Sequence, residues 1–442
     1  MHATVQVDTQ QLPVGQGGLM TCSIECRQPH ANLRRFHFVF DCGSINKEHL
    51  RESLNEIETR VLDILFISHL DADHVNCIDM LLERMTVETV VLPCLDPLQV
   101  TAIVCESLNG SGMTGDFRSF LQSPNAWFAQ RGIKQVIYVS RDIDGDNGAP
   151  PFAPGDGPPQ YGRPLSEAQA LDDRLKCELK SFGMPPAAVR TRSGTVQFQL
   201  ASAANSLEVD LGQSQVSNNS RLTWLLIPYV HPFPQDRIDA FRQAVKSVVR
   251  IPKGEALATS SFVSRLLDVL KEETKRSLLK SCYSILSADN NKPSLSLYSG
   301  PYPRGEQLWT ISERYADALS GYGFHNHRYL RRHQRIHDGG GWMCTGDADL
   351  RSKGTRTPWL RMYGSLLERL SIFVLPHHGS NSSIHDDVLT SIGHAITVAC
   401  AAKERVHHPH PKLVKRLSDQ QTSLWHVSED HESALSLRVL GH

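Results

Sequence analysis

The chain contains no CxxC pair, although ten cysteines are spread over its 442 residues. That scatter excludes a disulfide framework, and the apolar surroundings of Cys77, Cys344 and Cys400 mark core thiols kept reduced, as in a cytoplasm. Long apolar runs are missing too: none approaches the ~20 residues that cross a bilayer. The opening residues Met1-His2-Ala3-Thr4-Val5-Gln6-Val7 hold neither a basic n-region nor an apolar h-region. We therefore expect a soluble, unexported, cytoplasmic protein with no membrane partner. Charge of one sign is equally lacking. The 46 Lys and Arg against 47 Asp and Glu leave a net charge of -1, so no global field recruits nucleic acid or membrane, and any such binding has to come from local patches. No internal repeat is visible, which excludes a repeat architecture.

What is present allows a large enzyme. At 40% hydrophobic and 21% charged residues the chain can bury an ordinary core, and its length suits one large domain with insertions or two to three smaller ones. Short strand-like runs alternate with helix-like segments at both ends. Phe36 to Phe40 reads as a strand ending in Asp41-Cys42-Gly43, and Val61 to Ser68 as another. Between 75 and 85 the apolar Val75, Ile78, Leu81 and Leu82 recur at helical spacing, so a helix is expected there. Residues 144 to 164, rich in Gly, Pro and Asp, read as a loop or linker, and 234 to 249 and 256 to 286 as helical.

The most informative stretch is Ser68-His69-Leu70-Asp71-Ala72-Asp73-His74, directly after the apolar run 61 to 67. Four metal-ligand side chains fall within positions 69 to 74, at a strand end whose backbone is held on one side by the sheet and released on the other. The C-terminal third repeats the pattern. Gly341-Trp342-Met343-Cys344 leads into Thr345-Gly346-Asp347-Ala348-Asp349, and Leu370 to Pro376 runs into His377-His378-Gly379-Ser380. Ala395 to Cys400 precedes His407-His408-Pro409-His410-Pro411. Separate strands that each finish in His or Asp are expected when a sheet edge assembles a metal centre from distant segments.

These motifs carry a resemblance. The sequence is similar to the metallo-β-lactamase superfamily, and within it to the hydrolase domain of the ComEC-type competence DNA-channel proteins. Val14-Gly15-Gln16-Gly17 resembles that group's opening Val-Gly-Gln-Gly, and Asp41-Cys42-Gly43 its Asp-x-Gly. His69 to His74 matches His-x-Asp-x-Asp-His, with Asp71 where most of the superfamily has a second His. Thr345-Gly346-Asp347, His377-His378-Gly379-Ser380, His408-Pro409-His410-Pro411 and the closing Trp425 to Leu437 match in the same order. The resemblance implies an α/β fold of the αββα metallo-β-lactamase sandwich type. Residues 1–100 would form its first half, 101–340 further fold elements with an inserted, partly helical region, and 341–442 its second half. The chain departs from the pattern in lacking the membrane channel, in carrying Gly18 where the family often has Asp, and in offering no clear third His for the first metal site. His231 is a candidate for that ligand or, alternatively, a loop histidine capping a helix.

A mixed His and carboxylate set suits one or two divalent ions, Zn or Mn, and Asp71 makes the site harder and richer in oxygen. His69 and Asp71 are assigned to the first ion. By resemblance, Asp73, His74 and either His377 or His378 would hold the second, with Asp347 bridging. Asp41 is expected behind the ligands, fixing a ligand histidine through its other ring nitrogen. Asp73, His408 and His410 are the catalytic candidates, His410 or its neighbour His408 facing the substrate as a proton or hydrogen-bond donor. Ser380 and Ser383 could donate to a phosphate, or Ser383 could cap a helix.

Substrate selection is expected from 322 to 337, where Arg328, Arg331, Arg332 and Arg335 accompany Tyr322, Phe324, Tyr329 and four His with no acidic residue. Arg beside aromatics suits a single-stranded nucleic acid; a solvated basic loop or a separate zinc site in the His cluster are the alternatives. The sequence thus reads as a metal-dependent phosphodiester hydrolase, a nuclease acting on DNA. A small-molecule hydrolase for a cyclic nucleotide, lactone or lactam is one alternative. Another is a sensor or effector subunit of a defence assembly, docking a protein partner through the inserted region.

Overall fold

Strands that are apolar on both faces can serve two layers at once, and this chain uses them so. In Arg221–Val230, Leu222, Trp224 and Leu226 join one apolar cluster while the alternating Leu225, Ile227 and Tyr229 join another. The computed structural model describes residues 4–27, 32–93, 124–139, 163–164, 173–181, 191–193, 196–201, 205–213, 221–230, 235–250, 272–283, 294–302, 309–315 and 339–441, with the single positions 265, 268, 269 and 285.

The described residues form a mixed α/β protein with two large mixed sheets and several helices. From edge to edge the first sheet runs Trp309–Tyr315 (β14), Leu435–Gly441 (β19), Thr4–Gln11 (β1), Gly17–Arg27 (β2) and Arg34–Ser44 (β3). It continues through Val61–Phe66 (β4), Thr86–Pro93 (β5), Gln135–Val139 (β6), Val196–Ala201 (β10) and Thr191–Ser193 (β9). The second begins with Leu424–Val427 (β18), Ile396–Cys400 (β17), Leu370–Val374 (β16), Gly341–Cys344 (β15) and Leu295–Pro301 (β13). Arg221–Val230 (β12), Asn205–Gln213 (β11), Cys177–Ser181 (β8) and Arg163–Pro164 (β7) complete it. Both sheets contain a parallel block, β3 to β6 in the first and β15 to β18 in the second, so several carboxyl ends lie together in each.

One apolar cluster draws Phe36, Phe38 and Phe66 from the first sheet and Trp224, Trp342 and Ile372 from the second. Another joins Val39 and Leu65 to Leu50, Leu54, Leu81 and Phe241 on helices Lys47–Asn55, Ile78–Leu82 and Gln235–Val249. The third joins the second sheet to Trp359, Tyr363, Val388 and Leu413 on helices Lys353–Leu367, Asp386–Ser391 and Pro411–Asp419.

Several local expectations change. The helix expected over 75 to 85 is two short helices, Ala72–Val75 and Ile78–Leu82, because the backbone N–H of Cys77 leaves the helical ladder to donate to Cys42 O at 3.2 Å. The strand expected to reach Ser68 ends at Phe66, since Ser68 turns its N–H to the Asp41 carboxylate. Helix Glu273–Tyr283 covers part of 256 to 286, and Arg163–Pro164, read within a loop, pair as a strand with β8. His231 and the segment 322 to 337 with Arg328, Arg331, Arg332 and Arg335 lie outside the described residues. Among the described residues no helix is long and apolar enough to cross a membrane.

Candidate metal centre

The site forms where carboxyl ends from the two sheets meet, the usual ligand position in α/β sheets. Leu295 N donates to Ser68 O at 2.7 Å, tying the end of β4 to the start of β13, and Ser294 Oγ accepts from Asp347 N at 2.9 Å. Asp41, in the left-handed region at φ 60°, turns its carboxylate back to accept from Ser68 N and Ser68 Oγ, both at 2.7 Å. Gly43 lets β3 lie against the ligand turn: a Cβ there would meet the backbone of Asp73 and His74 at 2.5 Å.

These contacts set the tautomers. His74 Nδ1 lies 2.8 Å from Asp41 Oδ2 and His378 Nδ1 lies 2.8 Å from Cys400 O, and since both partners only accept, each Nδ1 carries the proton. Ser68 Oγ spends its hydrogen on Asp41, so at 2.8 Å it accepts from His69 Nδ1. In all three rings Nε2 is left facing the centre, the arrangement of metal-binding imidazoles held from behind. The buried atoms His69 Nε2, His74 Nε2 and Asp347 Oδ1 have no hydrogen-bond partner, and each of these three residues brings a ligand atom within 4.8 Å of those of the other two. Asp73, His74 and His378 make a second such group, with His378 Nε2 3.2 Å from Asp73 Oδ2.

Asp347 spans the two groups. Its Oδ1 is 3.7 Å from His74 Nε2, and its Oδ2 is 3.6 Å from His69 Nε2 and 3.8 Å from His377 Nε2. Asp71 Oδ2 stands 3.5 Å from His69 Nε2. The donor set therefore fits divalent cations: orphaned buried nitrogens and oxygens converge, and their partners hold them from outside. Burial opposes charge on His74, yet Asp41, Asp73 and Asp347 outweigh it and raise its pKa to about 10. Burial likewise opposes ionisation of Asp347 and Asp73, but the surrounding imidazoles hold both carboxyls well below the usual range. His378 is pushed down by burial and raised on balance by Asp73 and Asp347.

The two successive histidines separate. His377 (φ 50°, ψ 52°) and His378 (φ 55°, ψ 24°) are both left-handed, a strained conformation for non-glycine residues that concentrates at functional sites. The His378 side chain is 4% exposed, like His69 and His74 at 2% and 5%, whereas that of His377 is 40% exposed. His377 reaches the Asp347 carboxylate from the solvent side.

The other candidates fall in different places around the cluster. His410 is the N-cap of helix Pro411–Asp419: its Nδ1 accepts from Lys412 N at 3.1 Å and its ring stacks on His407. His408 instead lies by the cluster, its ring 5.4 Å from His377 and its Nδ1 donating to His377 O at 3.2 Å. Burial, with His378 and His377 adding to it, lowers the His408 pKa to about 4, so this ring is neutral near pH 7 and offers a bare Nε2. Ser383 does not cap a helix. His385 does, accepting from Asp387 N, while Ser383 is buried with Oγ 3.4 Å from His377 Nδ1. Ser380 Oγ bonds to Ser382 Oγ at 2.9 Å on the surface. Ser68 and Ser294 were not singled out by sequence reasoning; their signal is a hydroxyl at the junction of an apolar strand and a ligand turn.

A cavity of about 30 Å³ lies beneath the cluster, lined among others by Gln11, Met20, Phe40, Asp41, His74 and Cys400. It has room for about two water molecules. Comparison of the chain with protein-family models finds no match, and comparison with curated proteins likewise finds none.

Proposed function

We propose that this chain is a metallo-β-lactamase-type hydrolase of αββα layering, related to the ComEC hydrolase domain, that cleaves phosphodiester bonds in DNA with one or two divalent ions, Zn or Mn. The observation that carries this reading is the convergence of His69 Nε2, His74 Nε2 and Asp347 Oδ1, buried and without hydrogen-bond partners, at the meeting edge of two sheets. The layering is supported by three apolar clusters, one between the sheets and one under helices on each outer side.

His69 and Asp71 would hold one ion and Asp73, His74 and His378 the other, with Asp347, close to both His69 and His74, shared between the two sets. Bound divalent ions supply positive charge that polarises a phosphoryl oxygen and acidifies water. The chain's own groups do the rest. Asp41 and Ser68 fix the rings of His74 and His69; His377, exposed and beside Asp347, would meet a phosphoryl group arriving from solvent. Hydrolysis adds water to phosphorus and breaks the bond to the leaving oxygen, which takes a proton as the water gives one up. His377 would deliver that proton, since a neutral His408 whose Nδ1 donates to His377 O has an Nε2 that only accepts.

Elemental analysis with an assay on bis(p-nitrophenyl) phosphate, labelled single- and double-stranded DNA, cyclic nucleotides, a lactone and a lactam tests the proposal. Bound metal and Mn²⁺-dependent DNA cleavage are expected. Protein free of Zn, Mn, Fe and Ni that stays inactive with added Mn²⁺ would sink it, and turnover of a cyclic nucleotide, lactone or lactam alone would replace DNA with a small substrate.

A further inference from the structure

Around His408 the histidine turn and the first turn of the following helix, 405 to 415, carry exposed side chains whose chemistry the metal centre does not use. The base of this segment is fixed. Ala401 N donates to Val427 O at 3.0 Å, Lys403 N to Glu429 Oε2 at 3.0 Å, and His410 N to Gly379 O at 3.0 Å, while Lys403 Nζ pairs with Asp430. Its tip is offered to solvent. Val406 is 76% exposed, the most of any large apolar side chain among the described residues. The His407 and His410 rings stack at 6.2 Å and 23°, and Val414, one helical turn after His410, is also exposed. Around them Arg405, Lys412 and Lys415 are exposed and have no ion-pair partner among the described residues, and the one acidic residue between 402 and 415 is Glu404.

Three unneutralised cations beside a stacked imidazole pair and a bare aliphatic tip combine two kinds of contact: charge for phosphates and flat or apolar surface for bases. A duplex hides its bases in the stack and can use only the first; an unpaired strand can use both. We infer that the segment Arg405 to Lys415 is a lip that binds single-stranded nucleic acid. Arg405, Lys412 and Lys415 take the phosphates, and the His407–His410 pair with Val406 takes unpaired bases. The strand is thereby fed toward His377, whose carbonyl His408 already holds. The inference rests on the phosphodiesterase reading of the adjoining site and names the form of its substrate.

Fluorescence anisotropy with a labelled single-stranded oligonucleotide and its matched duplex, in EDTA to stop cleavage, tests it on two variants of the full chain. Replacing Arg405, Lys412 and Lys415 together by Gln should lower the single-strand salt slope by about 2, at ~0.7 for each lost phosphate contact. The pair Val406→Ser with His407→Ser should weaken single-strand binding roughly tenfold, leave the salt slope as it was, and affect the duplex much less. A triple variant with wild-type affinity and slope would overturn the lip, as would a Val406/His407 variant that loses duplex and single strand equally. Wild-type protein that hydrolyses bis(p-nitrophenyl) phosphate but binds no oligonucleotide would remove the lip and keep the hydrolase. Protein that binds single strands yet hydrolyses no phosphodiester would keep the lip and remove the hydrolase.

Discussion

At the scale of single residues, ring nitrogens decide roles. His378 gives Nδ1–H to Cys400 O and turns Nε2 inward, while its neighbour His377 stays solvent-facing over Asp347. His378→Ala is therefore expected to purify with reduced metal and to recover partly in excess Mn²⁺. His377→Ala should keep its metal and lose on the order of 10²-fold in phosphodiester turnover, the typical cost of one positioned donor. Metal analysis beside the rates separates the two, and equal metal loss in both would make His377 a ligand. His410 makes a different prediction. As an N-cap, His410→Ala should cost about 1 kcal/mol and His410→Asn should restore it; urea unfolding checks this, and an Asn variant as unstable as Ala would refute the cap. A third residue governs pH. Burial, aided by Arg174 and Arg35, lowers the His37 pKa from 6.5 to about 4, so folding keeps the ring neutral. That contribution is fully present above about pH 6.5, the unfolded value, and is lost as pH falls toward about 4. Urea midpoints of wild type should fall more steeply than those of His37→Gln across this window, and parallel curves would contradict the assignment.

At the scale of elements, the ligand turn is shaped by close approach. Helix Ala72–Val75 is one turn long, too short to stand by itself, and is held by β3 through Gly43 and by the Cys77 N–H on Cys42 O. Gly43→Ala should cost about 1–3 kcal/mol, as overpacking does, and should weaken metal binding by shifting Asp73 and His74. Gly354, in helix Lys353–Leu367, has nothing within 4 Å of an added Cβ, so Gly354→Ala should stabilise by up to about 1 kcal/mol. Calorimetry on the two variants checks both signs, and a Gly43→Ala variant of wild-type stability and metal affinity would show that the turn tolerates the shift.

At the scale of the whole molecule, the candidate ligands come from segments some 300 residues apart, His69 to His74 against Asp347 and His378. Each set is anchored in a different sheet, so ions shared between them would cross-link the layers. Any ligand bound by the folded state alone stabilises it, by about 2.7 kcal/mol at a hundredfold excess over its Kd. Thermal unfolding is therefore expected at lower temperature in EDTA than in Mn²⁺, with the midpoint rising with Mn²⁺ concentration. A midpoint indifferent to both would mean that the cluster is held together by its own hydrogen bonds.

The strand-end positions of the candidate ligands can be read from the chain alone, because apolar runs and the His and Asp residues closing them are local patterns. His69, Asp71, Asp73, His74, Asp347 and the His377-His378 pair were all legible in this way. Helix 235–249 was legible from its periodicity for the same reason. The relations between segments emerge only when the chain is folded. Which of two adjacent histidines turns inward depends on left-handed backbone angles and on the carbonyl of Cys400, 22 residues further along. Whether His408 or His410 meets the cluster depends on the cap of the following helix and on the path of the turn over Gly379. Ser68 and Ser294 acquire roles only through partners in another strand, Asp41 for one and Asp347 for the other. A one-dimensional pattern carries the chemistry that each segment brings; orientation, burial and pairing come from distant chain packed against it.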